Sequence, residues 1–266
     1  ATQSFTVNAS TLADGAVTVS VQITETSGNT ASFTGTAAAK DVALPAAATA
    51  GAIPAGAGHS ANYISSANVS SVSTSISFGS SSSATDTSSV WFDDGSAQTS
   101  HVAGTVTPSG SVTVSGIDAS SLAEGAVTMF VAVTDLAGNT QTSSFTGFTK
   151  DVTAPAQPSA SAIPVGANNP VNYVNTATAS AAAVSTTFGA MSSANDTYVV
   201  AVSDGGSTIT SSSQSVTPSA SASASLNLST LSDGALTISV TTTDVAGNSA
   251  SAFMGTGATK DTVAPP

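Results

Sequence analysis

Apolar side chains recur at every second position in many short stretches of this chain. In residues 17–23 three valines and an isoleucine alternate with Thr, Ser and Gln, and residues 127–133 show the same alternation. A period of two is typical of strands with one buried face, and no helical period stands out. Clusters of Gly, Ser, Asp and Pro separate the predicted strands. In one stretch of about 110 residues these strands lie near 61–66, 69–78, 88–93, 100–107, 110–117, 126–134 and 140–149.

The sequence repeats itself at an interval of 110 residues. Its three lysines, Lys40, Lys150 and Lys260, are each followed by Asp, and each of these is followed four residues later by Pro. Tandem recurrence of this kind is typical of repeat proteins, in which each unit contacts its neighbours.

The repeat predicts the domain organisation. Residues 1–43 are expected to be the C-terminal part of one repeat, and residues 44–153 and 154–263 two complete repeats. Residues 264–266 would begin a linker to a next repeat. Seven short strands in a repeat favour an immunoglobulin type of sandwich. The predicted fold class is therefore all-β, with tandem immunoglobulin-like antiparallel β-sandwiches in an elongated array.

Three motifs carry a resemblance to a known family. They are L-x-[DE]-G-x-[VL]-T before a strand, D-x-A-G-N after it (residues 135–139 and 244–248), and K-D-x-x-A-P at the end of the repeat. Together they resemble the bacterial Ig-like repeats of large surface adhesins and biofilm-associated proteins. The resemblance implies an extracellular stalk at the bacterial cell surface, often stiffened by calcium at domain junctions. It implies neighbouring Ig-like repeats, of the same or adjacent chains, as partners. The first copy departs from the pattern, with Glu25 in place of Asp and Leu44 before Pro45.

Composition restricts the function further. Only 7% of the 266 residues are charged and the net charge is −12, which excludes a nucleic-acid groove because such a groove needs clustered cations. No apolar run approaches the roughly 18 residues of a membrane span, so no membrane insertion is expected in this segment. His59 and His101 correspond to Asn169 and Ser211 in the next repeat, and no nucleophile elbow follows a strand. A non-catalytic protein is therefore predicted.

The acidic residues fall in loops, at strand ends and in linkers. In an Ig-like sandwich, the linker, the loop before the third strand and the last hairpin meet at one pole. Carboxylate and amide oxygens gathered there would suit Ca²⁺. Asp and Asn are also common in tight turns without any metal, so both interpretations stay open. The predicted calcium ligands are Asp41, Asp86, Asp135 and Asn139 at the first junction, and Asp151, Asp196, Asp244 and Asn248 at the second.

The leading functional hypothesis is a non-catalytic extender, or stalk, of a bacterial surface adhesin or fibre. One alternative is a glycan- or surface-binding module that uses exposed aromatic side chains such as Trp91. Another is a subunit of a polymerising extracellular filament, in which strands of another chain complete residues 1–43. The pattern identifies no receptor. Lys150, next to the linker residue Asp151, is expected to form a solvated ion pair.

Overall fold

The computed structural model of the chain describes residues 3–166 and 168–266. In these residues the chain is all-β, as predicted, and its helical structure is a single 3₁₀ turn at Ala179–Ala181. Alternating burial along the strands explains why they form. In the strand Val72–Phe78 every second residue is buried, which is the pattern of a strand with one face on a core.

The part of the chain before residue 44 forms two short antiparallel pairs. Strand β1 (Gly15–Val17) pairs with β4 (Ala38–Lys40), and β2 (Ser20–Thr24) pairs with β3 (Thr30–Thr34). The apolar side chains of this part remain largely exposed, with Val19 50%, Ile23 56% and Phe33 59% accessible. The described residues 3–43 therefore have strands with the expected alternation but no enclosed core.

Residues 44–153, which we call the first repeat, contain two mostly antiparallel sheets. One has the strand order β10-β7-β5 and the other the order β6-β12-β11-β8-β9, in which β6 runs parallel to β12. The strands are β5 (Ala48–Ala52), β6 (Tyr63–Ile64), β7 (Val72–Phe78), β8 (Thr87–Asp93), β9 (Val102–Thr105), β10 (Ser111–Ile117), β11 (Gly125–Thr134) and β12 (Thr140–Lys150).

The second repeat has the same strand order in both sheets. Its smaller sheet is β13-β15-β19 and its larger sheet is β14-β22-β20-β16-β17, with β18 added on β16 and β21 on β20. The strands are β13 (Ala160–Ala162), β14 (Tyr173–Val174), β15 (Ala182–Thr187), β16 (Thr197–Ser203), β17 (Thr208–Thr210), β18 (Gln214–Ser215), β19 (Ser221–Leu226), β20 (Gly234–Thr243), β21 (Phe253–Met254) and β22 (Ala258–Lys260). Two copies of the repeated sequence thus fold in the same way.

The cores contain the side chains that the period of two places inside. In the second repeat Val200, Ile238 and Val240 belong to one buried cluster with Phe188 and Tyr198. In the first repeat the period of two also predicts eight apolar core positions, with Leu122 as a ninth at the corner before β11, and all nine are buried, which confirms that prediction. They are Ile76, Phe78, Val90, Phe92, Leu122, Val127, Met129, Val131 and Val133.

Strand β5 was not predicted, because its sequence Ala-Thr-Ala-Gly-Ala has neither alternation nor strong strand formers. It forms because it pairs antiparallel with β7, with a register shift between Ala48 and Ala50. A Cβ atom at Gly51 would lie 2.7 Å from the Met129 sulfur and 3.0 Å from the Phe145 ring. A small residue is required there because the backbone of β5 lies directly on these side chains.

By its internal contacts the chain divides into two compact units. The first comprises Ala1–Ala52, Ser73–Ile117 and Thr128–Thr146, and the second comprises Ile53–Val72, Asp118–Val127 and Gly147–Pro266. The second unit therefore holds the whole second repeat together with three segments of the first, residues 53–72, 118–127 and 147–153. Within the described residues, no helix has the length and apolar character to cross a membrane.

Candidate functional site

The linker after each repeat is held by the acid of the first motif. The Glu124 carboxylate accepts hydrogen bonds from the Val152 N–H, at 3.0 Å, and from the Thr153 hydroxyl, at 2.8 Å. Asp233 accepts the corresponding bonds from the N–H and hydroxyl of Thr262, both at 3.0 Å. Hydrogen bonds from Thr153 and Val152 lower the pKa of Glu124, since they stabilise its charged form. This role was not predicted, although an acid and a Thr 29 residues apart recur in both repeats.

The lysine of the closing motif is buried, so the prediction of a solvated ion pair at Lys150 is wrong. Its side chain is 4% exposed, and the Nζ atom donates to the carbonyl of Ser120, at 3.1 Å, and to that of Leu122. Lys260 binds the carbonyls of Ser229 and Leu231 in the same way. The ammonium group donates to backbone carbonyls in the loop before β11 in the first repeat and before β20 in the second, and these hydrogen bonds allow it to be buried.

The D-x-A-G-N motif forms a tight turn in each repeat. We call residues 135–139 the first AGN turn and residues 244–248 the second AGN turn. In the first, Asp135 accepts the N–H of Asn139 at 2.9 Å, and the Asn139 side-chain amide donates back to Asp135 at 2.9 Å. In the second, Asp244 and Asn248 make the same two bonds, at 2.8 and 2.9 Å. The motif therefore encodes its own turn, as expected for Asp and Asn without a metal.

Both AGN turns also reach the linker that precedes their repeat. The Asn139 amide donates to the carbonyl of Asp41 at 3.3 Å, and the Asn248 amide donates to the carbonyl of Asp151 at 2.8 Å. The side-chain oxygen of Asn248 accepts a hydrogen bond from the N–H of Ser66 at 2.8 Å.

The structure brings three predicted ligands of the second junction together. The side chains of Asp151, Asp196 and Asp244 line one open cavity of about 430 Å³, together with Met191 and Ala154 among others. Desolvation is the main cause that raises the pKa of Asp151, and the charge of Asp244 adds to it. The same two causes raise the pKa of Asp196 against one opposing backbone hydrogen bond. The carboxylates are thus close enough to repel one another.

The predicted ligands of the first junction make local turn contacts that recur at the second. Hydrogen bonds from Asn139 lower the pKa of Asp135, and the Asp41 carboxylate accepts the N–H of Ala43 at 3.1 Å. Asp86 is 8% exposed, and its N–H donates to the carbonyl of Ser83 at 3.2 Å. These contacts belong to local turns. Asn139 is the residue that connects Asp135 to the linker.

The donor set at the second junction fits calcium in its chemistry, since carboxylates are the hard oxygen ligands that this ion takes. The three carboxylates nevertheless lie too far apart to bind one ion together as they stand. In the part of the chain that the structure describes, no three His, Cys, Asp or Glu side chains stand together as a ligand set for one metal ion. A bound ion would therefore have to draw Asp151, Asp196 and Asp244 closer together.

Trp91 lies outside the core, on the face of β8 opposite to Phe92, as the alternation predicts. Its ring stacks on His101, with centroids 3.9 Å apart and planes 5° apart, and on Phe130, at 5.3 Å and 10°. Phe130 lies on β11 and His101 directly precedes β9, and these two strands flank β8, so the two rings cover opposite faces of the indole. The prediction of an exposed aromatic platform at Trp91 is therefore not favoured, because neither indole face is open to a sugar ring.

No family model matches the chain, and no curated protein sequence matches it. Solved structures do. The chain is 22% identical to a Ca²⁺-stabilised adhesin that helps an Antarctic bacterium reach out and bind ice, with a TM-score of 0.43, 94% of this chain covered and 58% of that one. It is 23% identical to a tetra-tandem repeat in the extending region of a large adhesion protein, with a TM-score of 0.31 and coverages of 96% and 59%. It spans less than two thirds of both structures.

A third similar structure is that of a 1.5-MDa bacterial ice-binding adhesin, described for its host cell surface retention. The identity is 19%, the TM-score is 0.43, and the match covers 94% of this chain and 76% of that one. The structural neighbours of the chain thus include repeat domains of bacterial adhesins.

Proposed function

We propose that the chain is a non-catalytic extender segment of a bacterial surface adhesin, and that residues 44–153 and 154–263 are its modules. The observation that carries the proposal is the equivalence of the two repeats. They have the same strand order in both sheets, the same buried lysine and the same acid that fixes the linker. Modules that repeat with a fixed linker add length without enlarging a core, which is what a stalk requires.

The proposal is tested by making the block of residues 44–263 once, twice and three times in tandem. Small-angle scattering should show a maximum dimension that rises by a constant increment per block. A maximum dimension that levels off, as in a compact assembly, would contradict the extender role. The same samples distinguish the alternatives, since self-association in sedimentation would favour a filament subunit, and saturable binding on a glycan array would favour a binding module.

We further propose that calcium binds at the second junction, with Asp151, Asp196 and Asp244 as ligands, and that Asp41, Asp86 and Asp135 serve the first. The resemblance to adhesin repeats and the mutual repulsion of Asp151, Asp196 and Asp244 support this proposal. The ion would neutralise that repulsion. An affinity on the order of 10⁻⁴ to 10⁻³ M is expected, as in other extracellular calcium modules.

Calorimetric titration of the chain with calcium tests this proposal directly. The Asp196→Asn variant should lose the binding at the second junction. Asp204→Asn is the matched control, because Asp204 lies in another loop of the same repeat and is held by the N–H groups of Gly206, Ser207 and Ser232. If the wild-type chain and Asp196→Asn give the same titration, the carboxylates of the second junction do not bind calcium.

A further inference from the structure

The two AGN turns have the same local structure but different surroundings. In the second AGN turn, Ala246 is 0% and Asn248 2% exposed. In the first, Ala137 is exposed and Asn139 only half-buried. The internal hydrogen bonds of the turns do not explain this difference, because both turns have them. The burial of the second turn must come from another segment of the chain.

That segment is the stretch of residues 56–66 in the preceding repeat, which includes the two-residue strand β6 and which we call the acceptor loop. The Ser60 N–H donates to the carbonyl of Ala246 at 3.1 Å, and the Ser66 N–H donates to the side-chain oxygen of Asn248 at 2.8 Å. The acceptor loop and the second AGN turn both belong to the second compact unit. The first AGN turn reaches the preceding segment through the Asn139 amide, which donates to the carbonyl of Asp41 at 3.3 Å.

The Asn248 amide holds three segments of the chain together. Its nitrogen donates to the carbonyl of Asp151 in the linker, at 2.8 Å, and to the Asp244 carboxylate, at 2.9 Å. Its oxygen accepts the N–H of Ser66 in the acceptor loop. A primary amide has two donor hydrogens and one acceptor oxygen, so all of its groups are used, and no other side chain of this size offers the same set.

Gly247 shows how close the two loops lie. It has a φ of +98°, and a Cβ atom there would be 2.8 Å from the carbonyl oxygen of Gly58 and 2.9 Å from the Cα of His59. Gly138, the same position of the first AGN turn, has a φ of +95°, and a Cβ atom there would meet nothing within 4 Å. In the second turn the glycine of the motif is therefore required for two reasons. Its backbone has a positive φ, and a Cβ atom would clash with the acceptor loop.

We propose that the AGN turn of one repeat is a docking element that locks onto the acceptor loop of the preceding repeat, with Asn248 as the central residue of the lock. The partner it fits is the end of another copy of this repeat. This inference rests on the proposed extender role, because a stalk needs a defined geometry between successive repeats. The contact itself needs no metal, so it is distinct from the calcium proposal.

The second repeat carries its own acceptor loop, with one informative difference. The bridge between Gly56 and His59 recurs between Gly166 and Asn169, and Thr176 stands where the first repeat has Ser66. At the position of Ser60 the second repeat has Pro170, which lacks an N–H. Since that loop accommodates proline, Ser60→Pro should remove the bond to Ala246 without disturbing the loop.

The test measures amide hydrogen exchange in the 266-residue chain in the presence of EDTA. In the wild type the Ser66 amide should be protected. Asn248→Ala should lower this protection about tenfold, since the amide loses its acceptor and the turn its bond to the linker. Ser60→Pro and Gly247→Ala should lower it as well. Asn139→Ala, Gly138→Ala and Pro170→Ser are the matched controls, and they should leave the exchange of Ser66 unchanged.

A second measurement reports on the joint itself. The chain has no cysteine, so Ser121→Cys and Thr230→Cys, at equivalent exposed positions of the two repeats, allow a spin-label pair to be introduced. In EDTA the distance distribution should be narrow and should broaden severalfold in Asn248→Ala but not in Asn139→Ala. A distribution that is broad in EDTA and narrows only with calcium would overturn the lock and leave the extender role intact. Rapid exchange of Ser66 in the wild type would also overturn it.

Discussion

The two AGN turns have the same sequence motif but differ in how deeply they are buried. Both have the sequence D-x-A-G-N, the same pair of side-chain hydrogen bonds and a glycine in the left-handed region. Yet Asn248 is almost fully buried and Asn139 is not. The difference arises because the acceptor loop contacts only the second turn. A motif can therefore encode a turn locally and acquire its binding role from the repeat that precedes it.

The strands after the first motif provide the same comparison on a larger scale. Val19, Met129 and Ile238 occupy one position of the repeat, and the period of two places all three on the apolar face. Met129 and Ile238 are no more than 1% exposed, whereas Val19 is 50% exposed. The face is covered by a second sheet in the complete repeats, and the described residues 3–43 contain no counterpart of that sheet.

The largest effect is expected from truncating this position. Ile238→Ala should destabilise its sandwich by about 2–5 kcal/mol, because it leaves a cavity in an enclosed core. Val19→Ala should change the free energy of unfolding by less than about 0.5 kcal/mol, since its site is already open to solvent. Denaturant titrations of both variants measure the difference. Equal losses of stability would mean that residues 1–43 have a core of their own.

The fold was predictable from the sequence wherever alternation and turn residues agreed. The apolar faces of β7, β8 and β11 follow a period of two, and the core residues that were predicted on these strands are all buried. Strand β5 was missed because a run of Ala, Thr and Gly is defined by its partners, β7 and the side chains beneath Gly51, rather than by its own pattern.

The candidate site was predictable only in part. The topology of an Ig-like sandwich was enough to place Asp151, Asp196 and Asp244 around one cavity. The role of the Asn248 amide was not predictable, because its partner Ser66 lies 182 residues earlier in an irregular loop. The burial of Lys150 was missed for a related reason, since the carbonyls that it binds carry no sequence signal.

The three lysines extend the comparison between the described residues 3–43 and the two sandwiches. Lys150 is buried against two carbonyls, whereas Lys40 forms a partly exposed ion pair with Asp14 at 2.9 Å. Lys150→Met should cost about 1–3 kcal/mol, because it leaves the carbonyls of Ser120 and Leu122 without a donor. Lys40→Met should cost less than about 1 kcal/mol, as is usual for exposed ion pairs. Thermal unfolding of the two variants at the same pH distinguishes these values, and a larger loss in Lys40→Met would contradict the assignment.

The pH dependence of stability compares two aspartates of the second repeat. The pKa of Asp196 is raised in the fold by burial, so its ionisation opposes folding, and the opposition grows as the pH rises above the ordinary value near 3.8. In EDTA at pH 7, Asp196→Asn should therefore be more stable than the wild type, and this gain should vanish in acid. Backbone hydrogen bonds lower the pKa of Asp204, so its charge favours folding.

Asp204→Asn should consequently be less stable than the wild type at pH 7, and this loss should shrink as the pH falls below 3.8. Chemical unfolding at pH 7, 5 and 3 measures both trends. Opposite signs for the two variants at neutral pH would support the distinction between a buried carboxylate and a hydrogen-bonded one. A loss of stability in Asp196→Asn at pH 7 would show that burial of the charged Asp196 carboxylate does not oppose folding.

The smallest effect concerns the aromatic stack, which distinguishes the outer faces of the two complete repeats. Trp91, His101 and Phe130 stack in the first repeat, whereas the corresponding residues of the second are Ala201, Ser211 and Ser239. The second repeat folds in the same way without a stack, so the aromatic rings contribute to stability without being required for the fold. An aromatic pair of this geometry contributes about 0.5–1.5 kcal/mol beyond the area it buries.

A double-mutant cycle with Trp91→Ala and Phe130→Ala should give a coupling energy of about 0.5–1.5 kcal/mol. The control cycle pairs Trp91→Ala with Leu136→Ala, because Leu136 is 89% exposed, and its coupling should lie within about 0.5 kcal/mol of zero. Since His101 and Phe130 cover both faces of the indole, oligosaccharides should leave the tryptophan fluorescence of the wild type unchanged. A saturable change in that fluorescence would show that a ligand displaces one of the two rings, and it would favour the binding-module alternative over a purely structural role for this face.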